Sequence, residues 1–247
     1  MVAGENSESY VSIVDQSNWE FVFSNSSPIS NALGTSKSPT VLAFSTSTEL
    51  VRHMADDDQD DYVRIQGRID KRIKADPVAR AWKKARTYLT DLKHFPRYRK
   101  SEYHLYHDAA RARRRGRATP KQQDLANGLE AEINASRVVV PPWQILFHGR
   151  ADRNLTNLVP YPSFISTSLN PVVARMSAFR RAGVDRVNGK PTVYILTLGC
   201  SLPALWGQTG KSFEYELLLP PLLTSVIKNQ YTGRNFDVVE AEVLRRG

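Results

Sequence analysis

The segment Phe213-Glu214-Tyr215-Glu216-Leu217-Leu218-Leu219-Pro220 puts two acids where folding alone would not choose them. Tyr215, Leu217 and Leu219 fall on alternate positions, the period of a β-strand. Glu214 and Glu216 would then project together from the other face, about 7 Å apart at the usual rise per residue. Two carboxylates so placed repel each other and stabilise nothing unless cations or a ligand lie opposite. A solvated edge strand is the plain alternative. Two further clusters precede the acids. Phe164-Ile165-Ser166-Thr167-Ser168-Leu169 carries three hydroxyls and runs into Asn170-Pro171, a helix start with Asn as N-cap and Pro at the first helical position. Ile145-Leu146-Phe147-His148-Gly149-Arg150 is an apolar strand that turns polar at a glycine. If it stays extended past Gly149, His148 and Arg150 share a face. Arginine there offers a permanently charged planar fork suited to phosphate, whereas histidine is mostly neutral at physiological pH. None of the His and Cys residues shows metal-site spacing. A Walker loop, a G-x-S-x-G elbow and a dinucleotide-fold glycine fingerprint are also missing.

In chain order these are a strand ending in a basic, glycine-containing corner, a strand with a Ser-Thr-Ser triplet, and a strand with Glu-x-Glu. The ordered set, over roughly residues 120–247, resembles the catalytic domain of mono-ADP-ribosyltransferases of the arginine–serine–glutamate class, which includes clostridial binary toxins, bacterial effectors and some phage enzymes. The resemblance implies a split β-sandwich flanked by N-terminal helices, with NAD as co-substrate, and no metal, in a cleft between the two sheets. Glu216 matches the glutamate that contacts the nicotinamide ribose and stabilises its oxocarbenium-like transition state. A fixed carboxylate there counts most when nicotinamide leaves as a neutral group and positive charge develops on C1′. Glu214 matches the acid that orients or deprotonates the acceptor, which is usually an arginine where this position is Glu. Ser166 matches the serine that bonds the catalytic glutamate, and Thr167 and Ser168 would close the cleft wall.

The first strand departs from the family pattern, which places an arginine between an aromatic and a glycine to grip an NAD phosphate. His148 stands there, and Arg150 and Arg153 become the phosphate candidates. A histidine at this place resembles instead the diphtheria-toxin and poly-ADP-ribose polymerase branch, which lacks the Ser-Thr-Ser triplet; a structural or degraded-site histidine is the competing reading. Gly149 would let the backbone approach the nicotinamide amide, or simply be a turn glycine. Trp206 to Phe213 matches the substrate-recognition turn, in which Trp206 and Phe213 could touch a target protein; Trp206 could equally be a core anchor. Phe179 to Lys190, with Arg180, Arg181 and Arg186, matches the loop that folds over NAD phosphates, against a competing reading as solvated loop charge.

The chain has 247 residues and a formal charge of +9, with a pI near 9.7 and a mean hydropathy of -0.42. That length holds one catalytic domain with an extension, or two small domains. No apolar run is long enough for a transmembrane helix, so no membrane association is expected, and the first residues lack a signal-peptide pattern. Cys200 is the single cysteine, so no intrachain disulfide forms and a reducing compartment is the simpler assumption. The basic balance suits nucleic acid, but NAD and acidic protein surfaces attract a basic protein equally well. The run Arg111-Ala112-Arg113-Arg114-Arg115-Gly116-Arg117 could bind an acidic or nucleic-acid partner, or be a solvated helix end.

The elements that must position these residues follow from pattern. Residues 1–55 are rich in Ser, Thr and Asn and read as a flexible leader, similar to the secretion signals of bacterial effectors, although Val11–Val14 and Trp19–Phe23 could pair as strands. Residues 56–137 read as helical. Ile65, Ile69 and Ile73 mark one stripe, and Trp82, Ala85, Leu89 and Leu92 a second that Pro96 ends. A third helix runs from about Ser101 into the arginines. Thr119-Pro120-Lys121-Gln122 forms a capping box that opens a fourth, with Leu125, Leu129 and Ile133 in register. Residues 138–247 read as the β-rich NAD-binding core, with strands near 143–148, 163–167, 191–198, 212–219 and 235–244 and a helix near 171–181. Helices followed by short strands indicate an α+β fold with segregated layers.

The resulting expectation is an NAD-dependent mono-ADP-ribosyltransferase, with an arginine of a host-cell protein as acceptor. Its expected setting is a secreted bacterial effector acting in the host cytoplasm, with a phage or intracellular enzyme as the alternative source. Rival readings are an inactive protein of the same fold used only for binding, and a nucleic-acid-binding protein or a transferase acting on nucleic acid.

Overall fold

The computed structural model describes residues 19–23, 40–44, 46–56, 62–87, 91–152, 163–184, 189–207 and 215–245. Near the N-terminus, β1 (Trp19–Phe23) and β2 (Thr40–Phe44) pair antiparallel. Six helices follow: α1 (Ser47–Asp56), α2 (Tyr62–Ala75), α3 (Pro77–Thr87), the short α4 (His94–Arg97), α5 (Tyr103–Arg114) and α6 (Pro120–Asn134). A π-helical turn, Tyr98–Glu102, joins α4 to α5. The C-terminal part holds β3 (Val139–Val140), β4 (Ile145–Asp152), β5 (Ile165–Ser168), α7 (Pro171–Val184) and β6 (Lys190–Leu198). It ends with β7 (Leu202–Pro203), β8 (Leu205–Trp206), β9 (Glu216–Leu219), β10 (Leu223–Thr232) and β11 (Asp237–Arg245). The fold is α+β, a helical N-terminal region followed by a split sheet.

The main sheet has the order β10-β11-β6-β4-β5-β9-β8. All neighbours are antiparallel except the parallel pair β11 and β6. Strands β4 and β5 share a single register pair, Phe147 with Ser168. The sheet therefore divides at this seam into a four-stranded half ending in β4 and a three-stranded half beginning with β5. The seam lies between the His148 strand and the Ser-Thr-Ser strand.

Both faces of the smaller half are covered. Ile165, Leu217, Leu219 and Trp206 join the larger core with α1, α2, α3 and α7. Phe164, Leu205 and Leu218 face a second core made by Phe95, Tyr98, Tyr106, Leu125 and Leu129 of the α4–α6 block. This explains why Glu216-Leu217-Leu218-Leu219 is buried at all four positions and reads as a continuous apolar run after its acid. The alternation expected through Glu214 stops at Tyr215, whose φ of 41° is left-handed rather than extended. Strand β9 therefore begins at Glu216, and Glu214, expected on the same strand face, lies outside the described residues.

Other expectations change as well. The leader does not run to residue 55: α1 buries Leu50, Val51 and Met54 completely, because those spacings form one helical stripe. Val11–Val14 and Leu89 lie outside the described residues. Pro96 does not end a helix but sits in the first turn of α4, where its missing N–H leaves no bond unmade. Strand β10 had no counterpart in the sequence reading, since Lys228-Asn229-Gln230 lies on an exposed sheet edge that needs no apolar pattern. The capping box is present as expected: Gln122 N donates to Thr119 Oγ1 at 3.3 Å and Thr119 N to Gln122 Oε1 at 3.0 Å.

Candidate active site

Glu216 begins β9 beside Ser168 of β5, on the face that meets the α4–α6 block. Ser166 Oγ donates to Glu216 Oε1 at 2.6 Å. Arg99, from the π-helical turn, brings Nε to 3.1 Å from Glu216 Oε2. The pair is largely shielded, with 14% of the Arg99 side chain and 11% of the Glu216 side chain exposed. Sequence reasoning missed Arg99, which lies in no motif. Its backbone is a π-turn, an element rare elsewhere and frequent at functional sites, and that signal exists only in the folded chain.

Gly207 closes the other side of the carboxylate. Its N–H donates to Glu216 O at 2.7 Å, and a Cβ at this position would lie 2.6 Å from Glu216 Oε2. Only glycine leaves the carboxylate in its observed place. Gly207 lies at the start of the turn expected to recognise substrate, and its close approach to Glu216 is visible only in the folded chain.

The hydroxyl triplet divides its work. Ser166 aims the acid. Thr167 turns inward and donates to Leu217 O at 2.7 Å, clamping β5 to β9. Ser168 Oγ accepts from Asn170 N at 3.0 Å, and Asn170 Oδ1 accepts from Val172 N at 3.0 Å to start α7. The Asn170 amide also donates to the buried Asp70 carboxylate at 2.9 Å, tying α2 to this corner; burial raises the Asp70 pKa. Thr167 and Ser168 are buried here and stabilise the corner behind Ser166.

His148 is buried, with Nδ1 2.7 Å from Ser166 O. The carbonyl can only accept, so Nδ1 carries the proton. Burial pushes its pKa down to about 4 against the smaller raising effect of that hydrogen bond, and nearby Arg181 and Arg150 lower it further. The ring is therefore neutral near pH 7 and holds the backbone of Ser166 across the seam. Gly149 faces away from it: a Cβ there would come within 1.8 Å of Ala174 O, so this glycine lets α7 lie directly on β4. The ordinary turn assignment fails, since Gly149 sits inside a strand. Arg150 follows on β4, half-buried and in register with Thr192.

Trp206 is 1% exposed, packed 6.0 Å from Trp82 and 6.2 Å from Tyr215 by ring centroids. It is a core anchor and presents no surface to a target protein. Phe213, Arg153 and Arg186 lie outside the described residues, while Arg180 and Arg181 are exposed on α7. In the arginine run, Arg111 pairs with Asp108 at 3.0 Å and Arg113 with Glu130. Arg115 and Arg117 are exposed.

A second polar cluster links Arg99's turn to the serine strand. Tyr98 Oη lies 3.3 Å from His107 Nε2, and His107 Nδ1 lies 2.6 Å from Ser163 Oγ, three residues before Ser166. Burial pushes the His107 pKa down to about 3, so this linker is also neutral. Glu132 of α6 accepts the N–H groups of Lys93, His94 and Phe95 at 2.6, 2.8 and 2.8 Å, fixing the start of the helical segment that carries Arg99.

No protein-family model and no curated protein matches the chain. Among solved structures, the ADP-ribosyltransferase Vis in complex with the M6 inhibitor is similar, with a TM-score of 0.53 and 16% identity over 79% of this chain and 89% of that one. Vis toxin, an ADP-ribosyltransferase from Vibrio splendidus, gives a TM-score of 0.49 at 16% identity over 77% and 88% of the two chains. BECa, an ADP-ribosylating toxin of a binary enterotoxin of C. perfringens solved with NADH, gives 0.48 at 13% identity over 68% and 48%. At such identity the first likeness shows the fold, which is that of the ADP-ribosyltransferases. Among the described residues no group of His, Cys, Asp and Glu is arranged to hold a metal, and no helix is long and apolar enough to cross a membrane.

Proposed function

We propose that this protein is an NAD-dependent mono-ADP-ribosyltransferase that transfers ADP-ribose to an arginine of a target protein and releases nicotinamide. The observation that carries the reading is the 2.6 Å bond from Ser166 to a shielded Glu216 carboxylate at the seam of the split sheet. Each part has a chemical role. Glu216 faces the nicotinamide ribose and stabilises the positive charge that develops on C1′ as the glycosidic bond to nicotinamide breaks. Ser166 holds one carboxylate oxygen, so the acid is preorganised and pays little reorganisation in the transition state. His148, through the Ser166 carbonyl, with Gly149, Thr167 and Ser168 behind it, sets the wall of the NAD cleft, and Arg150 reaches toward the dinucleotide. Glu214 orients the acceptor guanidinium and takes its proton, and Phe213 contacts the target protein. The guanidinium of Arg99 already resting on Glu216 is consistent with a site that accommodates arginine.

The same geometry favours one rival, a protein of this fold that binds without turnover, because His148 is neutral where the resembling family has a cation. Incubation with labelled NAD and a cell lysate separates the readings. Label on protein with the parent but not with Glu216→Ala supports the transferase. No label and no released nicotinamide from the parent turns the reading over to the binding protein, and nuclease-sensitive label assigns a nucleic-acid acceptor. We further propose that the enzyme acts as a secreted effector in a host cytoplasm, with Arg111–Arg117 as a contact for an acidic partner.

A further inference from the structure

An electrostatic conflict lies at the centre of the site. A carboxylate that is to stabilise an oxocarbenium ion gains least when a permanent cation already sits against it, and Arg99 does so at 3.1 Å. At the same time the first strand supplies no charge at His148, which is buried, neutral and committed to Ser166 O. NAD brings the missing counter-charge: its pyrophosphate is a dianion that the planar guanidinium fork fits better than it fits one carboxylate oxygen.

We propose that Arg99 binds the pyrophosphate of NAD and changes partner when NAD enters, releasing Glu216 to the ribose. In the structure Arg99 shares Glu216 with Ser166 and helps aim the acid. When NAD binds, the guanidinium swings to the diphosphate, and Oε2 becomes available to the nicotinamide ribose while Ser166 keeps Oε1. The backbone around Arg99 suits such an exchange. Its turn is anchored on both sides, by Glu132 on the N–H groups of Lys93 to Phe95 and by Tyr98 through His107 to Ser163. The long side chain can therefore move while its Cα stays fixed relative to the serine strand. The cation beside Glu216 thus comes from the helical region, in addition to Arg150 on the first strand.

This inference rests on the transferase reading, and ligands with and without phosphate test it. Binding of NAD and of nicotinamide riboside, which lacks the pyrophosphate, is measured by calorimetry for the parent, Arg99→Met, Arg99→Lys and Glu216→Gln, each with its thermal unfolding recorded. Arg99→Met is expected to weaken NAD at least tenfold while leaving nicotinamide riboside no weaker than in the parent. Arg99→Lys should recover part of the NAD affinity. Glu216→Gln, which frees the guanidinium, should bind NAD as tightly as the parent or more so while releasing no nicotinamide. Equal loss for both ligands in a folded Arg99→Met protein would mean that Arg99 serves only to hold the site, and unchanged NAD binding would mean that it does not touch the dinucleotide; either overturns the proposal and leaves the transferase standing. A parent that neither binds NAD nor releases nicotinamide overturns both.

Discussion

Glu216 is held by donors of different character, and the difference predicts how each substitution behaves. Ser166 is neutral, short-bonded and part of the strand wall, so its loss misaims the acid without changing the charge of the site. Ser166→Ala is expected to lower nicotinamide release by about 10- to 100-fold, the rate equivalent of losing one hydrogen bond to a charged group, with a small change in KM for NAD. Glu216→Ala removes the charge itself, and a drop in kcat of about 10²- to 10³-fold or more is expected from steady-state rates. Gly207→Ala tests the same atom from the other side. Its new methyl would meet Oε2 at 2.6 Å, so turnover should fall while the circular dichroism spectrum is retained. These positions were unequally legible. The resemblance carried by the Ser-Thr-Ser and Glu-x-Glu motifs implied Ser166 and Glu216, and the pairing of β5 with β9 brings the two into contact. Arg99 and His107 reach the site across distances in sequence that no period reports.

At the scale of elements, two features position the chemistry from outside the motifs. The first is the close contact of α7 with β4, which depends on Gly149. A Cβ there would meet the Ala174 carbonyl at 1.8 Å, and a backbone atom cannot step aside as a side-chain end can. Gly149→Ala should therefore destabilise the fold by about 1–3 kcal/mol or more, the range for overpacking, seen as a lower Tm. The second is the cap of α4 by Glu132. Glu132→Ala removes an anionic acceptor from three N–H groups, with an expected stability loss of about 1–2 kcal/mol. Elements with strong local signals were readable, as Thr119-Pro120-Lys121-Gln122 shows, since a capping box satisfies its own backbone. Pro96 misled because proline both stops helices and starts them, and which applies depends on whether the preceding N–H groups find an acceptor. Here that acceptor is Glu132, far along the chain.

For the whole molecule, two buried neutral histidines set the response to acid. His148 and His107 have pKa values lowered to about 4 and about 3 by burial, against 6.5 for an exposed imidazole. The unfolded chain takes up both protons as pH falls below 6.5, while the folded chain does not until pH approaches 4. Their contribution is thus fully present above pH 6.5 and is lost on acidification down to about 4 for His148 and about 3 for His107, at about 1.4 kcal/mol per pH unit for each histidine. Denaturant midpoints measured from pH 7.5 to 4.5 should fall steeply for the parent. The slope should flatten for His107→Asn, while a slope unchanged in that variant would remove His107 from the account. Asp70, whose pKa burial raises, acts in the opposite sense just above its ordinary value of 3.8, where the folded chain takes up its proton before the unfolded one.

The sequence by itself determined the α+β order of helices then strands, the strands that carry Ser166 and Leu217–Leu219, and the helix starts at Asn170 and Thr119. Period, capping and composition act over a few residues, so they are written locally. Tertiary structure decided what surrounds Glu216. It buried β9 on both faces, broke the strand at Tyr215, turned Trp206 and Gly149 to packing, and brought Arg99 onto Glu216. Those outcomes depend on which surfaces meet when two sheet halves and a helical block share one core, and a buried charge takes whichever partner that meeting supplies.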